Sequence, residues 1–288
     1  MALSGILLLD KDEGWTSQDC VSKLRGILHE RRIGHAGTLD PLATGLLVVL
    51  VGRATRAATF AEAGEKEYLA TVRWGTVTDT QDITGTVLSS SERIPSPEDV
   101  QAVLPQFTGE ILQIPPMYSA IKVHGQKLYA VARRGGTVER DSRPITIFSL
   151  DYLGRNEKAE DLLRVHCSKG TYIRTLCHDL GEALGCGGCM AALRRTSVGA
   201  FSVDNAVRIA DVTPAAADSL LGTDTLFPDY MKTILTEFQE HRLRCGNSFP
   251  CEEADGSYRF YGPRGDFLAI GTVAGGTAAV IKNFYEVE

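Results

Sequence analysis

The sequence has 288 residues, enough for one large domain or for a large and a small one. Hydrophobic residues make up 43% and charged residues 23% of the chain, as in ordinary soluble globular proteins. The formal net charge of −6 is not typical of a nucleic-acid-binding protein. No apolar run approaches the about 20 residues needed to span a bilayer, and the N-terminus lacks the basic start of a signal peptide, so we expect a cytoplasmic protein.

The seven cysteines predict neither a disulfide framework nor a metal centre. An odd number of cysteines without a secretion signal argues against disulfides. Cys186 and Cys189 form a single CxxC pair, whereas a zinc site needs a second pair, and Cys245 and Cys251 have the wrong spacing for one. We therefore expect unpaired thiols and no bound metal.

The chain begins with a predicted strand and helix. Residues 5–10 form an apolar run that is typical of a buried strand. Thr16 or Ser17 can cap the following helix, in which Val21 and Leu24 fall at helical spacing.

Residues 34–45 then form a polar, glycine-punctuated loop with a single carboxylate, that of Asp40. The run 46–51 follows at once and predicts a buried strand, so the loop is anchored to core structure, where catalytic groups are often positioned. Pro41 biases Asp40 toward an extended backbone. On residue types alone, an ordinary surface turn remains the other interpretation.

The middle of the chain predicts alternating helices and strands. An alanine-rich helix is expected over 53–63, an alternating strand over 66–74, and a helix that begins at Ser96-Pro97 and runs to about 107. Residues 119–145 carry six cationic and two acidic side chains, a local excess of +4 that indicates either a phosphate-contacting face or a solvated helix face. This segment includes a predicted short basic helix over 126–134, and a strand follows at 144–150.

The later elements are a strand over 162–168 and a helix whose apolar face begins at Ile173. Arg174 lies off that face in the first turn, where the helix dipole disfavours a cation, so it is either a surface arginine or one that pairs with a carboxylate or phosphate. A helix is expected over 212–221 and a domain junction over 228–233. Short apolar runs punctuated by glycines predict a small β module over 234–288.

Four of these segments together resemble the TruB family of pseudouridine synthases. The loop 34–45 matches the family signature over twelve consecutive positions, and the matches extend to Lys-x-Tyr at 66–68, to 168–175 and to Leu-Arg-Arg-Thr at 193–196. The resemblance covers residues 4 to about 208, with one departure: Asp12 stands where the family usually has proline.

The resemblance implies a role for each matched side chain. The expected catalytic residues are Asp40, Tyr68 and Arg174: Tyr68 stacks on the target base, and Arg174 pairs with Asp40. Tyr68 is also a candidate for the base that takes the C5 proton, although its ordinary pKa of about 10 makes it a poor one. The expected substrate contacts are made by Lys11, His35, Asp82, Tyr172 and Leu193, and the expected RNA backbone contacts by Arg56, Lys122, Lys127, Arg133 and Arg134.

The resemblance also implies an α+β pseudouridine synthase fold, with a mixed, mainly antiparallel central sheet flanked by helices. We expect a catalytic domain over 1–228, with a basic thumb-like insertion near 117–145, and a β-rich PUA-like RNA-binding domain over 229–288. The expected substrate is uridine 55 in the T loop of tRNA, acted on by a monomer without a cofactor, a membrane or an obligatory protein partner.

Three other functions remain as alternatives. A guide-RNA-dependent synthase of the dyskerin type shares the Asp loop but lacks the basic insertion. A non-catalytic RNA-binding protein or RNA chaperone would not need the set Asp40, Tyr68 and Arg174. A glycosidase would usually need two paired carboxylates, and only Asp40 has motif support.

Overall fold

The computed structural model describes residues 3–119, 121–123, 125–132 and 134–285. Of the predicted RNA contacts, Arg133 lies outside the described residues, as do the side chains of Lys122 and Lys127.

The described strands are, in chain order, β1 (Gly5–Lys11), β2 (Ile33–Ala36), β3 (Thr44–Val51), β4 (Lys66–Trp74), β5 (Thr76–Thr78), β6 (Val87–Ser90), β7 (Gly109–Gln113), β8 (Lys122–Val123), β9 (Gln126–Lys127), β10 (Arg143–Arg155), β11 (Asp161–Cys167), β12 (Gly188–Val198), β13 (Phe201–Ser202), β14 (Val207–Arg208), β15 (Met231–Ile234), β16 (Phe249–Pro250), β17 (Gly256–Tyr261), β18 (Phe267–Ala274) and β19 (Thr277–Asn283). The α-helices are α1 (Ser17–Leu28), α2 (Ala58–Ala63), α3 (Pro97–Val103), α4 (Leu128–Ala132), α5 (Ile173–Ala183) and α6 (Glu237–Arg244). Short 3₁₀ helices occupy Gly52–Ala57, Leu104–Phe107, Val203–Asn205, Ile209–Asp211, Pro214–Ser219 and Thr223–Leu226.

A ten-stranded mixed sheet forms the centre of the molecule, with the order β14-β1-β3-β12-β4-β11-β10-β7, while β2 pairs with β3 and β13 with β12. The β1–β14 and β12–β3 pairs are parallel, and the other pairs in this sheet are antiparallel. The predicted mixed, mainly antiparallel sheet flanked by helices is therefore confirmed.

Helices cover the main sheet because their apolar stripes match its buried face. Val21 and Leu24 of α1 and Leu176 and Leu180 of α5 pack into the largest core cluster. Helix α1 begins in a capping box, since the Thr16 side chain accepts a hydrogen bond from the Asp19 backbone N at 3.0 Å. No helix in the described part of the chain is long and apolar enough to cross a membrane.

The second sheet has five strands in the order β15-β17-β18-β19-β16 and its own hydrophobic core. It contacts the main sheet's layer through an aromatic cluster centred on Phe227, whose ring centroid lies 5.4 Å from that of Phe60 and 6.1 Å from that of Phe284. Arg53 adds a hydrogen bond from Nη1 to the Phe284 carbonyl at 3.2 Å.

Several predicted elements are wrong in type or extent. Residues 212–221 contain a 3₁₀ helix at Pro214–Ser219 and no α-helix, because none of its side chains is buried to anchor one. Within the predicted junction over 228–233, β15 begins at Met231 and pairs in parallel with β17, and the junction itself stays a prediction. The predicted basic helix over 126–134 is shorter, since β9 takes its first two residues and α4 ends at Ala132.

Two further differences concern helices. The expected helix over 53–63 is a 3₁₀ turn followed by the short α2. The β module contains α6, a helix that was not among the predicted elements. Only Leu243 of its residues is buried, so its apolar periodicity is weak.

Candidate active site

The Asp40 loop is held in place from two sides. Its first residues are not loop but strand β2, which pairs antiparallel with β3. The Ser17 hydroxyl accepts a hydrogen bond from the Leu39 backbone N at 2.9 Å and donates to the Leu39 carbonyl at 3.1 Å. The Lys11 ammonium, only 1% exposed, donates to the backbone carbonyls of Asp12, Trp15 and Pro41, and so ties β1 to the residue after Asp40.

The end of the loop meets β12, where Arg194 and Arg195 align in parallel with Thr44 and Gly45. Gly45 has a φ of 95°, and a Cβ there would collide with the backbone of Arg195. This close approach brings the 193–196 motif beside the signature loop, although the two are about 150 residues apart.

Arg174 joins the Asp40 loop to helix α5. Its Nε lies 3.0 Å from Asp40 Oδ2, within ion-pair distance. Its Nη1 and Nη2 donate to the carbonyls of Thr80 at 3.0 Å and Tyr118 at 2.8 Å. The expected meeting of Asp40 and Arg174 is thus present. The side chain is only 7% exposed, so the interpretation of Arg174 as a surface arginine is wrong.

Asp82 forms the second acidic neighbour of Arg174, with Oδ2 at 3.9 Å from Nη1. Its other carboxylate oxygen accepts hydrogen bonds from the Thr80 hydroxyl at 2.8 Å and from the Thr84 backbone N at 2.9 Å. Because these bonds fix one oxygen, Asp82 holds the loop that presents the Thr80 carbonyl to Arg174.

Opposing effects act on the pKa of Asp40 in the Asp40–Arg174 pair. Burial raises the pKa of Asp40 above its ordinary value, and the positive charge of Arg174 opposes that rise, while the negative charge of Asp82 adds to it. Without Arg174, both burial and the neighbouring carboxylate would act to keep Asp40 protonated.

Tyr68 and Leu193 lie on the neighbouring strands β4 and β12, and the charge of Asp40 acts on the Tyr68 phenol. Both are buried members of the main core, at 7% and 8% exposure. The register places Arg195 opposite Tyr68 and Leu193 opposite Ala70. Burial raises the pKa of the Tyr68 phenol, so this hydroxyl is protonated at neutral pH.

His35 and Tyr172 lie half-buried on β2 and at the start of α5. Burial lowers the pKa of His35, and its buried Nδ1 has no hydrogen-bond partner among the residues that the structure describes. Burial raises the pKa of Tyr172. Neutral forms of both rings are therefore favoured at neutral pH.

Two of the predicted RNA-backbone residues have side chains that the structure describes. Arg56 is exposed and donates from Nη1 to the Asn283 carbonyl at 3.3 Å, which links it to the second sheet. Arg134 is exposed beyond α4. Asp12, at the position where the family usually has proline, pairs with Arg208 at 2.9 Å.

Two side chains near this site were not predicted. Arg195 is 1% exposed and donates to the carbonyls of Leu46 at 2.7 Å and Gly37 at 3.1 Å, so it braces both ends of the signature loop. The alternation of β12 was the available signal, because it directs Arg195 inward with Leu193. The other residue, Gln113, lies at the end of β7 and had no motif to mark it.

The described residues contain no cluster of three or more His, Cys, Asp or Glu side chains that could hold a metal ion. All seven cysteines are free thiols, including Cys186 and Cys189.

Family models match most of the chain. The model described as TruB family pseudouridylate synthase (N terminal domain) matches residues 25–173, and that described as tRNA pseudouridylate synthase B C-terminal domain matches residues 174–234. A curated tRNA pseudouridine synthase B from Synechococcus elongatus is 42% identical over 96% of this chain and 96% of its own length. The enzyme of the same name from Ralstonia pickettii is 42% identical over 94% of this chain and 88% of its own.

Solved structures share the fold at lower identity. A structure of an H/ACA RNP bound to a substrate RNA containing 2′-deoxyuridine aligns with a TM-score of 0.73 and 22% identity, over 98% of this chain and 85% of the other. A Cbf5–Nop10–Gar1 complex aligns with the same TM-score and 24% identity, over the same shares of the two chains. At this level of identity, the similarity to these structures shows a shared fold and nothing more.

Proposed function

Because the chain belongs to the TruB family of pseudouridylate synthases, we propose that it isomerises uridine 55 in the T loop of tRNA to pseudouridine. The observation that carries the proposal is the contact between Asp40 Oδ2 and Arg174 Nε at 3.0 Å, together with a buried Tyr68 on which the charge of Asp40 acts. The relatives' shared name, tRNA pseudouridine synthase B, supports tRNA as the substrate.

The reaction breaks the N1–C1′ bond, rotates the uracil, and joins C5 to C1′. The proton lost from C5 is balanced by one gained at N1, so neither an oxidant nor an energy source is required. Asp40 either attacks C1′ or removes a proton from C2′, and both routes need its ionised form. Arg174 supports that form by charge and holds the carboxylate by a directed hydrogen bond.

The target base must leave its stack, at a cost of a few kcal/mol. Tyr68 would return about 1–3 kcal/mol by stacking on the flipped base. Since burial raises the pKa of its hydroxyl, Tyr68 acts in this proposal as a platform and not as the base that takes the C5 proton. Leu193, His35 and Tyr172 complete the pocket around the nucleotide.

Two of the expected substrate contacts act indirectly in this proposal. Lys11 has its ammonium bonded to three backbone carbonyls and supports the Asp40 loop. Asp82 orients the loop that contacts Arg174. In this proposal five basic side chains contact the RNA backbone. They are Arg56 and, within 117–145, Lys122, Lys127, Arg133 and Arg134.

We further propose a catalytic domain over 1–228 and a PUA-like RNA-binding domain over 229–288. The separate core of the five-stranded sheet supports this division. In this proposal the enzyme works in the cytoplasm as a monomer, without a cofactor or an obligatory protein partner.

Tritium release from tRNA labelled at uridine C5 tests the proposal. We expect release by the wild-type protein, none by Asp40→Asn despite retained tRNA binding, and wild-type release by the exposed control Asp218→Asn. Binding without release by the wild type, across a panel of T-loop substrates, would instead indicate a non-catalytic RNA-binding protein. Undiminished release by Asp40→Asn would refute the role of Asp40.

A further inference from the structure

We propose that Gln113 is a positioning residue, which fixes the orientation of Arg174 toward Asp40. This inference rests on the proposed function. It concerns a side chain that does not touch Asp40 and that no motif marks.

Gln113 makes a two-point clamp on a single residue. Its side chain is buried, and its Nε2 donates to the Tyr172 carbonyl at 3.0 Å. Its Oε1 accepts a hydrogen bond from the Tyr172 backbone N at 2.8 Å. The side-chain amide therefore pairs with Tyr172 as a neighbouring strand would, but across elements that are 59 residues apart.

The clamped residue is the one from which helix α5 begins. Tyr172 is the N-cap of α5, and its own side chain makes no capping hydrogen bond. Arg174 follows two residues later, in the first turn, so the direction of its guanidinium depends on how that turn is placed. Gln113 fixes the backbone at this starting point.

The same glutamine fixes the chain that holds the other side of Arg174. Gln113 is the last residue of β7, which lies at one end of the main sheet, and Arg143 is its partner at the end of the ladder with β10. Five residues later, the Tyr118 carbonyl accepts a hydrogen bond from Arg174 Nη2 at 2.8 Å. Gln113 is thus the clamp between the helix that carries Arg174 and the segment that receives its guanidinium.

Losing the clamp should affect chemistry more than substrate binding. Gln113→Met keeps the length and approximate volume of the side chain but removes both hydrogen bonds. A misplaced Arg174 would orient Asp40 less well, and displacements on the ångström scale cost about 10- to 100-fold in rate. We therefore expect a loss of that size in kcat, with KM for tRNA changed by less than about twofold.

A movement of the pH profile separates positioning from a general loss of stability. Burial and the charge of Asp82 raise the pKa of Asp40, whereas the charges of Arg174 and Lys11 lower it, so a displaced Arg174 should move the acid limb of the kcat profile to higher pH. Asn156→Ala is the matched control, since its side-chain amide accepts hydrogen bonds from the Lys158 and Glu160 backbones in the turn between β10 and β11. It should lower the unfolding midpoint without moving the acid limb.

The experiment measures kcat, KM and the acid limb for the wild type, Gln113→Met, Gln113→Glu and Asn156→Ala. Gln113→Glu, when ionised, retains the bond accepted from the Tyr172 backbone N but turns a second acceptor oxygen toward the Tyr172 carbonyl, so its kcat is also expected to fall. A Gln113→Met protein with wild-type kcat and an unmoved acid limb would overturn the proposal. So would one that behaves like Asn156→Ala.

A measurement without catalysis keeps this test independent of the proposed function. In an NMR spectrum of arginine Nε–Hε groups, the Arg174 signal can be assigned by its absence in Arg174→Lys. We expect slow exchange of that proton in the wild type and faster exchange in Gln113→Met or, if that protein does not fold, in Gln113→Glu. Unchanged exchange would refute the inference, whereas an inactive wild type would refute only the proposed function.

Discussion

Replacing Arg174 by methionine should disable the enzyme while leaving its fold largely intact. The substitution removes the charge 3.0 Å from Asp40 Oδ2 and keeps most of the apolar stem. At that distance two unit charges attract by about 5 kcal/mol at an effective dielectric constant of 20. Water reaches Asp40, whose side chain is 39% exposed, so we retain about 2 kcal/mol after screening. If the transition state loses that stabilisation in full, kcat falls about 30-fold, apart from any loss of orientation.

The same change should move the acid limb of the kcat profile to higher pH, because burial and Asp82 then act on Asp40 unopposed by Arg174. Single-turnover tritium release from a T stem-loop, measured between about pH 5 and pH 8, gives both quantities. Arg174→Lys is the control that keeps the charge, and it should move the limb less. A folded Arg174→Met protein that binds tRNA and keeps the wild-type kcat and acid limb would refute the electrostatic reasoning.

Three further outcomes are expected. Tyr68→Phe should retain most of the affinity for a T stem-loop, whereas Tyr68→Leu should lose about 1–3 kcal/mol of binding free energy in an equilibrium titration. Equal affinities of the Phe and Leu variants would exclude stacking by Tyr68. Phe227→Ala should lower the free energy of unfolding by about 3–5 kcal/mol, because it removes the central ring of the cluster that contains Phe60 and Phe284. Denaturant unfolding with an unchanged midpoint would contradict this expectation. For the wild type, the raised pKa of Asp40 means that kcat falls as the pH drops through that pKa, earlier than for an exposed carboxyl with its ordinary value of 3.8. A profile that stays flat down to that ordinary value would contradict the burial argument.

The sequence predicts the parts of the fold whose signal is local. Capping at Thr16 and the apolar periodicity of α1 are contained within a dozen residues, and the structure confirms both. The strand alternation around Tyr68 is likewise local and correct. Helix α6 lacks such a signal, because only Leu243 of its residues is buried, so no periodic apolar stripe marks it.

The family motifs predict which residues meet, but not how they are held. The meeting of Asp40 with Arg174 follows from resemblance and not from spacing, since 134 positions separate them. The acceptors that complete the surroundings of Arg174 are backbone carbonyls, at Thr80 and Tyr118. A backbone carbonyl is present in every residue type, so no sequence pattern can single it out.

The same limit explains Lys11 and Arg195. Each is a charged side chain that is about 99% buried because it donates to carbonyls brought together by the tertiary fold. Composition alone would place such residues on the surface, where lysine and arginine usually lie. The burial of Arg195 depends on the parallel contact of β12 with β3, and that of Lys11 on the pairing of β1 with β3.

Mapping pseudouridine at single-nucleotide resolution tests the central claim most directly. Unmodified tRNA would be treated with the wild-type protein or with Asp40→Asn, and then with a carbodiimide that blocks reverse transcription at pseudouridine. We expect one new stop of reverse transcription, assigned to the T-loop uridine 55, after treatment with the wild type and none after treatment with Asp40→Asn. A stop at a different position, or the same stop with Asp40→Asn, would contradict the claim.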